Sequence, residues 1–320
     1  MRRIAAALLV PLAACVVLAA CGSSAGSPAS NANAAVKVTG AFGKQPAVSI
    51  PTQAPSSKLV VQTPIKGTGA ALKTGDSALA QVAVYKWSGT KHSLVDSTYT
   101  SGPQMIPAQM GLPGLTTAMK DAHLGTRIVA VLPPKYGYGS AGNSQLQVTG
   151  KDTLVWVIDL IQQYSATQAA SGTQVSTGGG QLPTVTAKAG EAPTISVPKK
   201  AAPSKLSVTT LIKGSGPKLA TGDTVVAQYV GAIWRTGKLF TTTWPSSSQP
   251  DGTPFSFEIG GPVIQGFSKG LTGVPVGSRV MLVIPPSLGY GPQGGQASAG
   301  IKKNDTLVFV IDVLGYQAAS

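Results

Sequence analysis

The sequence "VLPPKYGYG" at Val131–Gly139 returns as "VIPPSLGYG" at Val283–Gly291. Each copy closes an apolar run with two prolines and a Gly-Tyr-Gly. Apolar runs of this length, bounded by Pro and Gly, are typical of buried strands. Two copies of such an ending predict that one kind of domain occurs twice in the chain.

The repetition extends well beyond this element. "SKLVVQTPIKGTG" at Ser57 pairs with "SKLSVTTLIKGSG" at Ser204, an offset of 147 residues. "KDTLVWVIDL" at Lys151 pairs with "NDTLVFVIDV" at Asn304, an offset of 153 residues. The offset grows only across Gly-, Ser- and Pro-rich stretches, so the insertions fall in loops. A period of this size is a whole domain and not a solenoid unit.

The repeat predicts one domain over residues 56–165 and a second over residues 201–320. Between them, residues 166–200 are poor in large apolar side chains and rich in Gly, Thr, Ala and Pro, which predicts a flexible linker. Residues 21–55 begin with small polar residues and are predicted to be a flexible tether.

The N-terminus predicts the compartment. Residues 1–20 have two arginines and then an apolar run, as a signal peptide does. "LAAC" at Leu18–Cys21 resembles the lipobox of bacterial lipoproteins. The resemblance implies lipidation of Cys21 and a lipid-anchored protein on the extracytoplasmic face of the cell membrane. An uncleaved anchor is the alternative, although the run is short for a span and Pro11 interrupts it.

Charge and cysteine content exclude several function classes. The chain has 25 Lys and Arg against 11 Asp and Glu, and the resulting +14 is spread without a basic block. This pattern predicts no nucleic-acid partner. It suits an anionic envelope surface, or solubility alone. The two cysteines are Cys15, inside the signal peptide, and Cys21, so neither domain holds a disulfide, a thiol nucleophile or a thiolate-bound metal.

The residue pattern of each copy predicts strands around little helix. "DTVVAQYVGAIW" at Asp223–Trp234 is rich in β-forming residues and partly alternating. "DTLVFVIDVLGY" at Asp305–Tyr316 puts Leu307, Phe309, Ile311 and Val313 on one face at period two. Helical spacing occurs at Ile264, Phe267 and Leu271. The predicted fold class is α+β, with two tandem domains that each wrap a twisted antiparallel sheet on one short helix.

Several motifs in one order resemble the FKBP-type peptidyl-prolyl isomerases. They are "GDTVVAQYVG", "GKLF", "PFSFEIG", "VIQGF", "VGSRVMLVIPPSLGYG" and "TLVFVIDV". The resemblance covers the whole second copy and most of the first. It implies FKBP-like domains and non-covalent isomerisation of Xaa–Pro bonds without a cofactor or metal. It also implies proline-containing polypeptides as clients and macrolides as inhibitors. His92 and His123, both in the first copy, match no triad or metal spacing.

The resemblance also implies a pocket in the second copy. Its expected residues are Tyr229, Phe240, Phe255, Val263, Ile264, Phe267, Tyr290 and Phe309. The family's pattern assigns hydrogen bonds to the substrate from the Ile264 N–H and the Tyr290 hydroxyl, and places Phe267 at the pocket floor in place of a tryptophan. For Phe309, an ordinary core role is equally open.

Both copies depart from the family's pattern. In the second copy, Thr241 stands where the family usually has Asp, which puts turnover or ligand affinity in question. In the first copy, Val82, Val95 and Leu115 replace the aromatic residues of the second-copy pocket. The first domain is therefore predicted to be a degenerate FKBP-like domain.

The sequence thus predicts a lipid-anchored prolyl isomerase that helps exported proteins to fold and is active mainly in residues 201–320. The alternative is a non-catalytic module or chaperone that binds proline-containing segments. A solute-binding lipoprotein would fit the anchor but not the FKBP-like motifs.

Overall fold

The structure is a computed structural model that describes residues 31–175, 182–247 and 250–319. The predicted signal peptide, residues 1–20, and the predicted lipidation site, Cys21, lie outside the described residues. Within the described ranges, no helix is long and apolar enough to cross a membrane.

The first half of the described chain contains a hairpin, a six-stranded sheet and an α-helix. Its elements are β1 (Lys37–Thr39), β2 (Ala47–Ser49), β3 (Val60–Ile65), β4 (Asp76–Ser88), β5 (Lys91–Ser97), β6 (Gln104–Pro107), α1 (Pro113–Met119), β7 (Arg127–Leu132) and β8 (Thr153–Ser165). Short 3-10 helices lie at Ala32–Ala35, Pro134–Tyr136 and Gly139–Ala141. The sheet order is β3-β7-β8-β4-β5, all pairs are antiparallel, and β6 also pairs with β4.

The second half repeats this arrangement. Its elements are β9 (Thr173–Gln174), β10 (Thr184–Thr186), β11 (Thr194–Ser196), β12 (Ser207–Lys213), β13 (Thr224–Ile233), β14 (Leu239–Thr242), β15 (Phe255–Glu258), α2 (Gln265–Leu271), β16 (Arg279–Ile284), β17 (Gly295–Gln296), β18 (Ile301–Lys302) and β19 (Leu307–Gln317). Short 3-10 helices lie at Pro286–Leu288 and Ala297–Ala299. The order β12-β16-β19-β13-β14 matches β3-β7-β8-β4-β5, with β9 added beside β12 and β15 paired with β13.

Each sheet wraps one face around its helix, as the α+β prediction requires. Leu115 of α1 and Leu271 of α2 are fully buried against the sheet. Helix α2 follows Ile264 and runs along the spacing that predicted it. A seven-residue helix is marginal in isolation, so burial of its apolar face supplies most of its stability. The predicted fold class is confirmed.

Parts of the two segments predicted to be flexible form regular structure. In the tether, β1 and β2 form a hairpin that packs on the outer face of the first sheet, where Val38 and Ile50 are buried beside Trp87. In the linker, β10 and β11 form a second hairpin, and Ile195 is buried against Met281 on the outer face of the second sheet. Isolated Val and Ile residues at period two are enough to bury one face of a short hairpin on an existing sheet.

The two hairpins are themselves part of the repeat. "VTGAFGKQPAVSIP" at Val38–Pro51 matches "VTAKAGEAPTISVP" at Val185–Pro198 at an offset of 147 residues, the same offset that relates Ser57 to Ser204. The duplicated unit is therefore larger than the FKBP-like domain alone. We refer below to residues 31–165 as the first unit and residues 182–319 as the second unit.

The two units pack against each other through an apolar contact. Leu79 and Tyr164 of the first unit and Val226 of the second unit form one buried cluster. Beside it, the Met105 N–H donates a hydrogen bond of 3.1 Å to the Ser256 hydroxyl. Leu79 pairs with Met105 in the first sheet as Val226 pairs with Ser256 in the second. Equivalent residues of the two units thus meet, as they do in an isologous dimer contact.

Candidate active site

A cavity of about 660 Å³ opens in the second unit between the sheet and helix α2. All eight residues that the family resemblance singled out line it, namely Tyr229, Phe240, Phe255, Val263, Ile264, Phe267, Tyr290 and Phe309. We call this space the aromatic cavity. The structure therefore brings together every predicted pocket residue, and their roles in catalysis stay predictions.

The walls of the aromatic cavity are rings that brace one another edge to face. The Phe267 and Phe309 ring centroids are 4.7 Å apart, and the Phe240 and Phe309 centroids are 5.6 Å apart. The Tyr229 ring meets the Phe255, Phe267 and Phe309 rings at 6.0, 5.9 and 5.8 Å respectively. Edge-to-face pairs of this kind each contribute about 0.5–1.5 kcal/mol beyond their buried area. Such a network can hold a hollow open without a ligand inside it.

Burial divides the cavity into a floor and a rim. Phe267 and Phe309 are only 5% and 3% exposed and form the floor. Phe255 is 40% exposed and lies at the rim, stacked on Phe257 at 5.5 Å. Phe255 and Phe257 face the same side of β15; Phe257 contacts the Phe267 ring of helix α2 and is buried, whereas Phe255 contacts Tyr229 and Phe257 and stays exposed.

Sequence reasoning missed one residue that the cavity depends on, Gly231. A Cβ atom at this position would lie 2.7 Å from the Phe309 ring, 2.8 Å from Thr241 Cγ2 and 3.1 Å from the Phe240 ring. Only glycine therefore lets these side chains approach the strand. The signal was present in the alignment of the two copies, since the first unit has Val84 at the equivalent position.

The polar groups of the aromatic cavity are neutral donors. Burial raises the pKa of the Tyr229 hydroxyl, an interaction with the Thr241 side chain lowers it, and the nearby Tyr290 raises it. Burial also raises the pKa of Tyr290. The Ile264 N–H, at the start of helix α2, donates no hydrogen bond to any described residue. The cavity thus offers two phenols and one free amide to a substrate carbonyl.

Further along the rim, the cavity is lined by residues the prediction did not include. Gln293 and Gln296 contribute exposed side-chain amides, and Ala299 and Pro262 contribute small apolar surfaces. No ionisable side chain other than the two tyrosines lines the cavity among the described residues. Within the same ranges, no cluster of His, Cys, Asp or Glu has the size to hold a metal ion.

The first unit carries smaller side chains at most of the corresponding positions. Val82, Val84, Leu112 and Leu115 are at most 6% exposed and belong to one packed core cluster. Trp156, which corresponds to Phe309, is buried in the same cluster. Around this one buried ring, the aliphatic side chains of helix α1 and the sheet pack on each other.

Comparison with known proteins agrees with this architecture. A sequence profile described as FKBP-type peptidyl-prolyl cis-trans isomerase matches residues 72–161 and 216–314, more than half of the chain. A protein named FK506-binding protein from Streptomyces anulatus is 37% identical over 126 residues, which cover 39% of this chain and 96% of the relative. A probable FK506-binding protein from Corynebacterium glutamicum is 36% identical over 124 residues, or 39% of this chain and 98% of the relative.

Among solved structures, the crystal structure of FkpA from Escherichia coli is 36% identical. The match covers 36% of this chain and 49% of that chain, with a TM-score of 0.31. At that score the sequence matches, and not the superposition, carry the assignment. Of the two segments that the FKBP-type profile matches, residues 72–161 lie in the first unit and residues 216–314 in the second, and the second segment includes the strands and helix that build the aromatic cavity. The chain belongs to the family of FKBP-type peptidyl-prolyl cis-trans isomerases.

Proposed function

We propose that the aromatic cavity accelerates the cis–trans isomerisation of Xaa–Pro bonds in exported polypeptides. An Xaa–Pro amide is held planar by resonance, with a barrier of about 18–20 kcal/mol, and isomerises in tens to hundreds of seconds without a catalyst. The twisted transition state has less charge separation than the planar amide. An apolar, water-poor cavity that fits the twisted shape lowers this barrier without a covalent step.

The observation that carries the proposal is the combination of braced rings with neutral donors. Phe267 and Phe309 form a floor for the proline ring, and Phe240, Phe255 and Val263 form the walls. The Ile264 N–H and the Tyr290 hydroxyl donate to substrate carbonyls, which fixes the peptide on both sides of the twisting bond. Tyr229 completes the wall beside Thr241.

An exchange assay on a proline-containing peptide tests this proposal. We expect the full chain to accelerate isomerisation, and Phe240→Ala to lower kcat/KM by at least about tenfold, since a lost ring admits water and removes packing. Leu239→Ala is the matched control, because Leu239 is the neighbouring residue and its side chain is 56% exposed. Equal loss in both variants, with both folded, would contradict the proposal.

We also propose that the protein acts at the outer face of the cell membrane, anchored by a lipid on Cys21. The support is the charged and apolar start of the chain and the "LAAC" motif at Leu18–Cys21. Diacylation would supply the two chains that stable anchoring needs. Cys21→Ala should move the protein from the membrane fraction to the soluble fraction or leave a precursor, and Cys15→Ala should do neither. Membrane retention of a normally processed Cys21→Ala protein would exclude the lipid anchor.

The name of the Streptomyces anulatus relative, FK506-binding protein, supports a further proposal on ligands. We propose that FK506 binds in the aromatic cavity and competes with peptide substrates. Titration calorimetry should detect binding to the full chain and a large loss in Phe240→Ala. Binding that is unchanged by this substitution would place the ligand elsewhere.

For the first unit we propose a non-catalytic role in holding the second unit and contacting clients. The observation that favours it is the closed core at Val82, Val84 and Leu115, where the second unit is hollow. The alternative function, binding of proline-containing segments without turnover, is thus proposed for the first unit alone.

A further inference from the structure

Both units contain the same buried ion pair beside the hairpin that covers the outer sheet face. In the first unit the Arg127 Nε donates to Asp159 Oδ1 at 2.6 Å, and in the second the Arg279 Nε donates to Asp312 Oδ1 at 2.5 Å. The two arginine side chains are 1% and 7% exposed. A guanidinium has five N–H donors, and burying it is costly unless each donor meets an acceptor.

The first unit satisfies its guanidinium with the turn of the β1–β2 hairpin. Arg127 Nη1 donates to the Gly40 carbonyl at 2.9 Å, and Nη2 donates to the Ala41 and Lys44 carbonyls at 2.8 and 3.1 Å. The Gly43 N–H donates to Asp159 Oδ2 at 2.6 Å. The hairpin turn thus satisfies the edge of the guanidinium that faces away from Asp159.

The second unit leaves the same edge of the guanidinium open. Arg279 donates through Nε and Nη2 to Asp312, and Asp312 also accepts from the Ala170 N–H at 3.0 Å. Among the hydrogen bonds of the described residues, none comes from Arg279 Nη1, and none joins Arg279 to the β10–β11 hairpin. A cavity of about 880 Å³ lies there instead, between the hairpin and the sheet. We call it the hairpin cavity.

The walls of the hairpin cavity combine cations with hydroxyls and an apolar floor. Arg279 and Lys188 are the charged residues among its described lining, Thr184 and Thr209 add hydroxyls, and Leu211 and Met281 add apolar surface. The volume lies in the range of small-molecule sites, roughly 300–1,000 Å³. The Lys188 Nζ is 3.7 Å from Glu191, but the two side chains are 82% and 62% exposed. Such a surface pair is weak and yields to a better anion.

We propose that the hairpin cavity binds a carboxylate-bearing ligand. One carboxylate oxygen accepts from Arg279 Nη1 in the position that the Gly40 carbonyl takes in the first unit, and Lys188 adds a second positive charge. A carboxylate is favoured over a neutral carbonyl because both charged lining residues are cations. The ligand is either a peptide with a free C-terminal carboxylate or a small free acid.

This site is separate from the aromatic cavity. Along β16, Arg279, Met281 and Val283 face the hairpin, whereas Val280 and Leu282 face helix α2. The two cavities therefore lie on opposite faces of one sheet. Occupation of the hairpin cavity can be measured without reference to isomerase activity.

The direct test follows the Arg side chains of the full chain by ¹⁵N–¹H NMR during titration. Tri-alanine with a free carboxylate should shift the Arg279 Nε–H resonance, and its C-terminal amide should not. Arg127 is the control within the same molecule, since its guanidinium is closed, and its resonance should stay in place. Succinate in a parallel titration distinguishes the sources: a matching shift indicates a free acid, and a shift with tri-alanine alone indicates a peptide terminus.

Two variants test the site without removing the buried arginine. Thr209→Gln installs the residue that the first unit carries at the equivalent Gln62 and narrows the cavity. It should lower the affinity for whichever acid binds more tightly, tri-alanine or succinate, by at least about tenfold. Lys188→Gln should lower the affinity for the same acid by about two- to fivefold. Lys151→Gln in the first unit is the matched control. Absence of an Arg279 shift with both acids, an equal shift with the amide, or unchanged affinity in both variants would overturn the proposal.

Discussion

The first and second units have the same strand order and the same buried ion pair, yet each encloses different space. On the inner face, the second unit holds the aromatic cavity, and the first unit has a packed core of Val82, Leu112 and Leu115. Protein interiors pack close to crystal density, so small side chains leave no hollow when helix and sheet can approach. In the second unit, large rings hold one another apart and keep the hollow open.

On the outer face of the sheet the second unit is again the open one, but the hairpin turn and not side-chain size is the cause. Here the first unit is closed because three carbonyls of the β1–β2 turn accept hydrogen bonds from Arg127, and the second unit is open because its turn does not reach Arg279. Backbone position decides the outer face, and side-chain size decides the inner face. One duplicated fold can thus change either face independently.

Gly231→Val should have the largest effect, because it gives the second unit the residue that the first unit carries at Val84. The new side chain would collide with Phe309 and Phe240 and fill the aromatic cavity. We expect kcat/KM to fall by at least about 100-fold, with a stability cost of about 1–3 kcal/mol from overpacking. Gly231→Ala should give a smaller loss of the same kind. If circular dichroism shows a folded Gly231→Val protein with normal activity, ring spacing does not control the reaction.

The next prediction compares one hydroxyl in the two units. Tyr290→Phe removes a donor at the aromatic cavity worth about 1–3 kcal/mol, so kcat/KM should fall by about 5- to 150-fold if the bond forms fully in the transition state. Tyr138→Phe, the equivalent change in the first unit, should leave activity unchanged. Comparable losses in the two variants would mean that both units turn over substrate.

These differences show what could be predicted from the sequence. The period-two strands and the family's motifs place Tyr229, Phe240 and Phe309 on the inner face, and the structure brings all eight expected residues to one cavity. Position along a strand determines the face, and motif order determines the strand. The resemblance to the FKBP family implied the pocket, and the period-two pattern of β19 added the face on which Phe309 lies.

The hairpins and the contact between the units could not be predicted in the same way. Val38 and Ile195 sit in Thr-, Gly- and Pro-rich surroundings that are typical of linkers, so composition favoured flexibility. Extending the repeat upstream at the same offset would have found them. The pairing of Met105 with Ser256 joins strands about 150 residues apart, and no local pattern marks which exposed edge meets another.

A third prediction tests the contact between the units at Gly315. A Cβ atom there would lie 2.1 Å from the Tyr164 hydroxyl, and Tyr164 is 4% exposed and has little room to move. Gly315→Ala should cost about 1–3 kcal/mol of unfolding free energy. Adding Tyr164→Phe removes the colliding oxygen and should recover part of the loss. Denaturant unfolding measures both, and a neutral Gly315→Ala variant would mean that the units are not packed as described.

The last prediction is that kcat/KM does not depend on pH between about pH 6 and 9. The pH profile distinguishes the two units because they contain different titrating groups. Burial raises the pKa of Tyr229 and of Tyr290, so both phenols stay protonated above their ordinary value near 10 and remain donors throughout this range. Asp305 stays ionised here as well, because its hydrogen bond with Arg235 lowers its pKa, and any stability it supplies is lost only in acid. We therefore expect kcat/KM to be flat from about pH 6 to 9.

Histidine is the side chain that ordinarily titrates inside this window, and both histidines, His92 and His123, lie in the first unit. A profile measured on the full chain with a proline-containing peptide is thus a test of which unit works. Tyr290→Phe should lower the whole curve without changing its shape, because the hydroxyl it removes is neutral at every point. A step inside this window that disappears in His92→Gln or His123→Gln would assign the reaction to the first unit. The closed core there would then have to open during turnover, and the contrast between a hollow and a filled unit would no longer explain which one is active.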